Sequence, residues 1–276
     1  MKTRSALWTM LRLLVVLLIA IVVLFPVYIM VITSFKTSSQ AFDMPPEFLP
    51  APALFNYHAV LTELNFTRYL YNSLVISLVT TAVSILVCIM SGYALARFNF
   101  RGAGLLSMGT VLIRMVPPVV VAVPMYVLWT KFGLTGGLSG LVLAYLGLTI
   151  PLNVWMLSIF IKEIPFELEE AAMVDGCSRF KGVVKIVLPM LVPGIITVAA
   201  FAFIACWNEF LFSLMFLNDP AKYTAPIGLK MMQGEFSVQY GAMASGAIIA
   251  MSIPVCLFAY LQKYLVTGLS AGGVKG

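Results

Sequence analysis

An all-α integral membrane protein with six transmembrane helices is the fold class this sequence predicts. Of its 276 residues 61% are apolar and 10% are charged, too few charges to cover the surface of a soluble domain of this length. Six stretches are apolar over at least the roughly 20 helical residues that a hydrocarbon core requires. These runs are continuously apolar, without the alternation of a membrane β-barrel strand, and a helix satisfies its own backbone where no water is present.

The first span runs charge-free from Leu13 to Phe35, the second from Tyr69 to Ala96, and the third over about 105–130 with a single charge, Arg114. The fourth covers about 138–161, the fifth about 188–217 with Glu209 in its later half, and the sixth about 241–261. Pro26, Pro117, Pro118, Pro124, Pro151, Pro189, Pro193 and Pro254 lie within these runs, where neighbouring helices re-satisfy the freed backbone groups. Lys2, Arg4 and Arg12 ahead of the first span imitate a signal peptide. The apolar run is too long for one and no small-x-small site follows, so a retained anchor helix is expected. The whole chain, 1–276, reads as a single membrane domain.

Lys and Arg are distributed unequally. Eleven fall in the N-terminus, near 97–101, in the segment 162–187 and in the tail, against five in the intervening loops. That bias predicts cytoplasmic N- and C-termini. Outside lie a loop at about 36–68, whose part from Thr37 to Pro52 reads as extended chain, a Gly-rich turn at 131–137 and a loop at about 218–240. The positive charge is too dispersed for nucleic acid, and the lone His58 has no Cys or His cluster around it to hold a metal. Three cysteines sit in spans and Cys177 lies on the cytoplasmic side, so no disulfide is expected.

The informative segment is the cytoplasmic loop. Pro165 fits the first turn of a helix, Glu167, Glu169 and Glu170 complement the dipole at its start, and Gly176 fits a C′ position of positive φ. Ser178 then caps a second helix running toward Leu188-Pro189. Ala171 and Ala172 form a small spot between acidic residues, suited to close approach by a partner surface. A turn lying on lipid headgroups fits the same spacing, although acidic residues gain nothing from an anionic leaflet.

Glu170-Ala171-Ala172, then Gly176, Ile186 and Leu188-Pro189, resembles the Glu-Ala-Ala loop of the permease subunits of ABC importers. Gly92-Tyr93-Ala94-Leu95-Ala96-Arg97 with Phe100 is similar to the end of the second span in carbohydrate permeases, and Trp207-Asn208-Glu209-Phe210 to their fifth span. The ending Gly268–Gly276 resembles that of the smaller maltose-type permease subunit. Cys177 departs from the usual alanine. The resemblance implies the type I ABC importer permease fold, a prokaryotic inner-membrane location, and a loop coupled to an ATPase through Glu169, Glu170, Ala171, Ala172, Asp175 and Gly176. It implies four partners: a second, homologous permease subunit, a cytoplasmic ATPase dimer, an extracytoplasmic solute-binding protein and a sugar carried by alternating access. No Gly-x-x-x-x-Gly-Lys-Ser/Thr occurs, so the chain is not expected to be an enzyme or to need a cofactor; ATP and Mg belong to the partner ATPase. Leu269–Gly273 only faintly resembles an ATPase signature.

Candidates for the solute path are Arg114, Asn153, Trp155, Trp207, Asn208 and Glu209. Charge at mid-bilayer is costly unless it faces an interior, and amides and aromatic rings suit sugar hydroxyls and pyranose faces. Asn72 belongs with them, and for each of these amides and rings taken singly helix–helix hydrogen bonding or placement in the interfacial belt is the stronger reading. The outer loop at 218–240 is expected to meet the binding protein, with Lys222 and Glu235 as cross-linking positions. Two rival functions stay open: a permease for glycerol phosphate or another small polar solute, which Arg114 suits, and an ion-coupled carrier, for which Glu209 is the single intramembrane carboxylate.

Overall fold

The computed structural model describes residues 2–37, 39–43, 47–48, 53–234 and 238–271. It is helical throughout those residues apart from turns and one isolated bridge, Gln233 with Val238. Five helices are long and apolar enough to cross a membrane, and a sixth span arises if a bent pair is read as one. The chain divides into two compact units, Met1–Thr67 with Gly228–Ser252, and Arg68–Ile227 with Ile253–Gly276.

In the first unit, α1 (Lys2–Ser34) is a single run that exposes Leu13, Val16, Leu17 and Val22 along its length, as expected of a lipid-facing helix. In the described part of the loop after it, short helical turns occur. Gln40–Phe42 makes a 3-10 turn, and α2 (Phe55–His58) continues as a π-turn to Glu63; residues 44–46 and 49–52 lie outside the described ones. Buried Asn56 anchors α2 to the end of α1. Its Nδ2 donates to the carbonyls of Ser34 and Lys36, each at 2.9 Å, satisfying groups the end of α1 leaves open. Ser245 also donates to the Ser34 carbonyl, at 3.3 Å.

The second unit carries α3 (Phe66–Arg97), α4 (Ala103–Leu112), α5 (Pro118–Lys131), α6 (Leu138–Glu163), α7 (Glu167–Val174), α8 (Arg179–Gly182), α9 (Leu188–Trp207) and α10 (Leu211–Phe216). The short helix α11 (Ala225–Met231) and the long membrane-spanning helix α12 (Tyr240–Ala271) complete the chain, each passing from one unit into the other. The predicted third span is not straight. Its halves, Ala103–Met115 and Pro118–Lys131, meet at 99°, because Pro117 and Pro118 cannot supply N–H groups to continue the helix. The fifth span starts earlier than predicted, at Arg179, and breaks at Asn208.

Packing in this unit relies on small residues where helices cross. Gly92 of α3 lies against Leu157 and Ser158 of α6, with 3.3 Å from an added Cβ to the Ser158 nitrogen. Gly194 of α9 faces Phe160 of α6, where a Cβ would sit 2.7 Å from the ring carbon Cγ. Such close approach substitutes dispersion for the hydrophobic drive that lipid does not provide. Around these crossings Ile85, Val154, Leu157, Ile161, Leu191 and Val198 form one core, and Ile76, Leu141, Tyr145, Phe212 and Phe216 form another.

Candidate functional site

The cytoplasmic loop folds as two short helices at a glycine bend. The first, α7, begins at Glu167 with Phe166 as its cap, so Pro165 precedes the helix instead of opening it. Its end is a Schellman closure: Gly176 N–H donates to the Met173 carbonyl at 3.1 Å and Cys177 N–H to Ala172 at 2.9 Å. Gly176 sits at φ +85°, the left-handed conformation its C′ position calls for. Ser178 caps α8 by accepting the Lys181 N–H at 3.4 Å.

One side chain ties this loop to the membrane helices. Arg97, the last residue of α3, donates its Nε to Glu169 Oε1 and its Nη2 to the Ile164 carbonyl, each at 2.7 Å. Tyr93, one turn earlier, donates its hydroxyl to Glu169 Oε2 at 2.6 Å. The side chains of Arg97 and Glu169 retain 7% and 4% of their exposure. Two aromatic contacts flank them: the Arg97 guanidinium lies 5.5 Å from the Phe166 ring, and that of Arg179 lies 5.0 Å from Phe98. Both dipoles are served, a cation at the C-terminus of α6 and an anion in the first turn of α7.

The residues proposed from sequence for coupling therefore split. Glu170, Ala171, Asp175 and Gly176 face outward, while Glu169 and Ala172 are buried. A pair of adjacent helical residues points about 100° apart, so Ala171 and Ala172 do not make one flat platform. The outward face holds residues the sequence reading missed: Leu168, Val174 and Phe180 are exposed, the last two at 87% and 77%. The signal was present in the spacing, since Leu168, Ala171 and Asp175 follow the i, i+3, i+7 rule of one face, and Glu169 and Ala172 the i, i+3 rule of the other.

Within the membrane-spanning part, Glu209 occupies the break between α9 and α10. Its Oε1 accepts the Phe212 N–H at 2.9 Å and its Oε2 accepts the Ser213 N–H at 3.1 Å and the Tyr145 hydroxyl at 2.7 Å. The carboxylate thus caps α10 in place of a backbone partner. A cavity of about 180 Å³ opens beside it, lined by Arg114, Tyr145, Thr149 and Glu209 among others. Another of about 250 Å³ shares Arg114 and Thr149 and adds Asn153 and Asn208.

Two of the predicted path residues also make contacts within the bundle. Asn153 is buried and donates to Ser84 at 3.0 Å, bridging α6 and α3. Trp207 is buried and stacks on Phe203 with ring centroids 5.7 Å apart. Trp155 lies apart from the others, on a cavity of about 590 Å³ with Phe98, Asn99, Ser107 and Lys162. Asn72 holds the carbonyls of Ala221 and Tyr223 at 3.0 and 2.9 Å.

Residues 84–270 match the model of the family described as "Binding-protein-dependent transport system inner membrane component", a stretch that takes in the loop, its Arg97 anchor and all three cavities. The chain belongs to this family. It is a multi-pass inner-membrane permease and not an enzyme, and the Glu-Ala-Ala loop is characteristic of the family. The permease is 34% identical over 254 residues to the sulfoquinovosyl glycerol transport system permease protein SmoH of Agrobacterium fabrum, covering 92% of this chain and 89% of SmoH. It is also 34% identical to the trehalose/maltose transport system permease protein MalG of Thermococcus litoralis, covering 94% of each. Its fold matches a chain of a bacterial ABC transporter involved in importing the acidic polysaccharide alginate, with a TM-score of 0.79 at 20% identity over 95% of this chain and 97% of that one.

The capping role of Glu209 gives a direct expectation. Glu209→Ala orphans the Phe212 and Ser213 N–H groups, at about 1–3 kcal/mol for a buried group left unsatisfied, while the Tyr145 hydroxyl keeps its bond to Ser213. The midpoint of unfolding of the detergent-solubilised permease should fall, whereas Glu209→Asp should keep part of the loss at bay. An unchanged midpoint in Glu209→Ala contradicts the capping role.

Proposed function

We propose that this permease carries a di- or oligosaccharide across the inner membrane by alternating access, as one half of a permease heterodimer. A separate ATPase dimer, which binds ATP and Mg, drives it from the cytoplasm, and an extracytoplasmic binding protein delivers the sugar. The observation that carries this reading is the loop α7–α8. It turns Glu170, Ala171, Val174 and Phe180 outward while Glu169 fastens it from behind. Large apolar side chains rimmed by acids fit a partner protein surface better than an anionic leaflet. The relatives named for transport of sulfoquinovosyl glycerol and trehalose/maltose, with the diacetylchitobiose uptake permease DasC of Streptomyces coelicolor, support a sugar as solute. The Lys and Arg bias supports cytoplasmic termini and coupling loop.

The outer segment 218–240 is the proposed meeting place with the binding protein. Lys222 is a poorer cross-linking position there than its charge promised, since its Nζ donates to the Gly136 carbonyl at 2.7 Å; Glu235 lies outside the described residues. A second reading, an anionic solute such as glycerol phosphate, draws on Arg114. That side chain is exposed and lines both membrane cavities, whereas the Glu209 charge is taken up by a hydroxyl and two backbone donors.

Two tests separate these ideas. Glu170→Arg and Val174→Asp should each reduce co-purification of the ATPase about 10-fold, the equivalent of about 1.4 kcal/mol of binding, with insertion unchanged. Full co-purification and solute-stimulated hydrolysis in both would leave the loop as a turn on the lipid surface. Arg114→Gln should leave uptake of a neutral disaccharide within about 3-fold of wild type; loss of glycerol phosphate uptake alone would favour the second reading, since a hydrogen-bonded charge pair contributes well over 1 kcal/mol.

A further inference from the structure

We propose that the Tyr93–Arg97–Glu169 contact is a strut that transmits movement of the cytoplasmic loop into α3, making Arg97 and Glu169 positioning residues for transport. It rests on the coupling role proposed above for the loop and adds to it a route into the membrane. Neither residue belongs to the docking face: both side chains are shut away from solvent, at 7% and 4% exposure.

The mechanical problem is set by the size of α7. With eight residues it is far too short to be stable as an isolated helix, and it is bounded by Pro165 on one side and the Gly176 bend on the other. A push on Leu168 or Val174 would be absorbed by tilting α7 about those two ends unless its back is fixed. Glu169 is that fixed point. One guanidinium holds the Glu169 carboxylate and the Ile164 carbonyl together, so the start of α7, the end of α6 and the end of α3 are clamped at one place. Tyr93 adds a second bond to the same carboxylate from one turn along α3, which fixes direction as well as distance. The edge contact of Tyr93 with Phe98, at 6.0 Å between centroids, and the stacking of Arg179 over Phe98 extend the clamp to α8.

The far end of α3 shows where the movement goes. Ser73 accepts the Ala225 N–H at 2.8 Å, and Asn72 holds the Ala221 and Tyr223 carbonyls. A single helix of 32 residues, about 48 Å long at 1.5 Å per residue, therefore runs from the loop to the outer segment 220–225. It has no proline inside it to kink it. The tyrosine, the arginine and the two amide and hydroxyl anchors make α3 a connecting rod between the proposed ATPase contact and the proposed binding-protein contact.

The test uses the complete transporter, with both permeases, ATPase and binding protein, in liposomes, and reads solute transported per ATP hydrolysed. In a background where Cys88, Cys177, Cys206 and Cys256 are replaced by alanine, Arg97→Cys with Glu169→Cys removes the strut. Transport per ATP should fall about 10-fold, within the usual range of a coupling between sites, while the ATPase still co-purifies. A short bis-methanethiosulfonate linker across the two cysteines should restore the ratio to within about 2-fold, and reductant should abolish it again. A merely structural contact would lower assembly and transport together and would not respond to a reversible linker. Tyr93→Phe, which keeps the ring, should lower the ratio by a smaller factor. An unchanged ratio in the double-cysteine variant, or no recovery on linking, overturns the strut. Loss of ATPase co-purification in that variant also overturns it, because the contact would then belong to docking. If instead Glu170→Arg leaves docking intact while the linker still controls the ratio, the docking face is wrong and the strut stands.

Discussion

A charge pair shut away from water has to be held by more than Coulomb attraction, and that requirement organises the inner end of this permease. Desolvating Arg97 and Glu169 is repaid only when their remaining hydrogen-bonding groups find partners. Arg97 uses a second nitrogen on the Ile164 carbonyl, and Glu169 uses its second oxygen on the Tyr93 hydroxyl. Those partners lie at the ends of three separate elements, so the pair can form only when α3, α6 and α7 are in register. The place of the loop is thereby fixed by polar geometry, while the helices above it are fixed by shape, through Gly92 against Leu157 and Gly194 against Phe160.

Polar groups deeper in the membrane follow the same rule with a different outcome. Asn153 spends its amide on Ser84, and Glu209 spends both oxygens on the start of α10. What these bonds leave open is a cavity with Arg114 on its wall. The kinked third span and the broken fifth span place their irregular backbone next to that cavity, away from lipid, where non-helical backbone is tolerated at membrane depth.

Much of this was legible in the residues. Apolar run length gave the spans, and their observed ends fall within a few residues of those read from sequence for the second and fourth. The family followed from the spacing of Glu170, Ala171, Ala172, Gly176 and Leu188-Pro189, and the left-handed Gly176 from its place after a helix. The rest depended on three dimensions. Glu169 and Glu170 are chemically identical neighbours, and only the position of Arg97, seventy-odd residues earlier in the chain, decides which faces inward. Trp207 and Asn153 suit sugars by type, but that Trp207 stacks on Phe203 and that Asn153 bonds Ser84 while lining a cavity depends on the packed bundle. The helix at Phe55–Glu63 was hidden because Asn56, which anchors it, bonds to carbonyls about 20 residues away.

The central claim is that the loop and α3 move as one body while ATP is bound and spent. Spin labels at Met90 on α3 and Val174 on α7, both exposed, measure that directly in the reconstituted transporter by double electron–electron resonance. The account predicts that their separation changes by less than about 2 Å between nucleotide-free, ATP-bound and post-hydrolysis states, the size of an ordinary helix adjustment. A change of about 5 Å, one helical turn, would show α7 sliding against α3 and would contradict it.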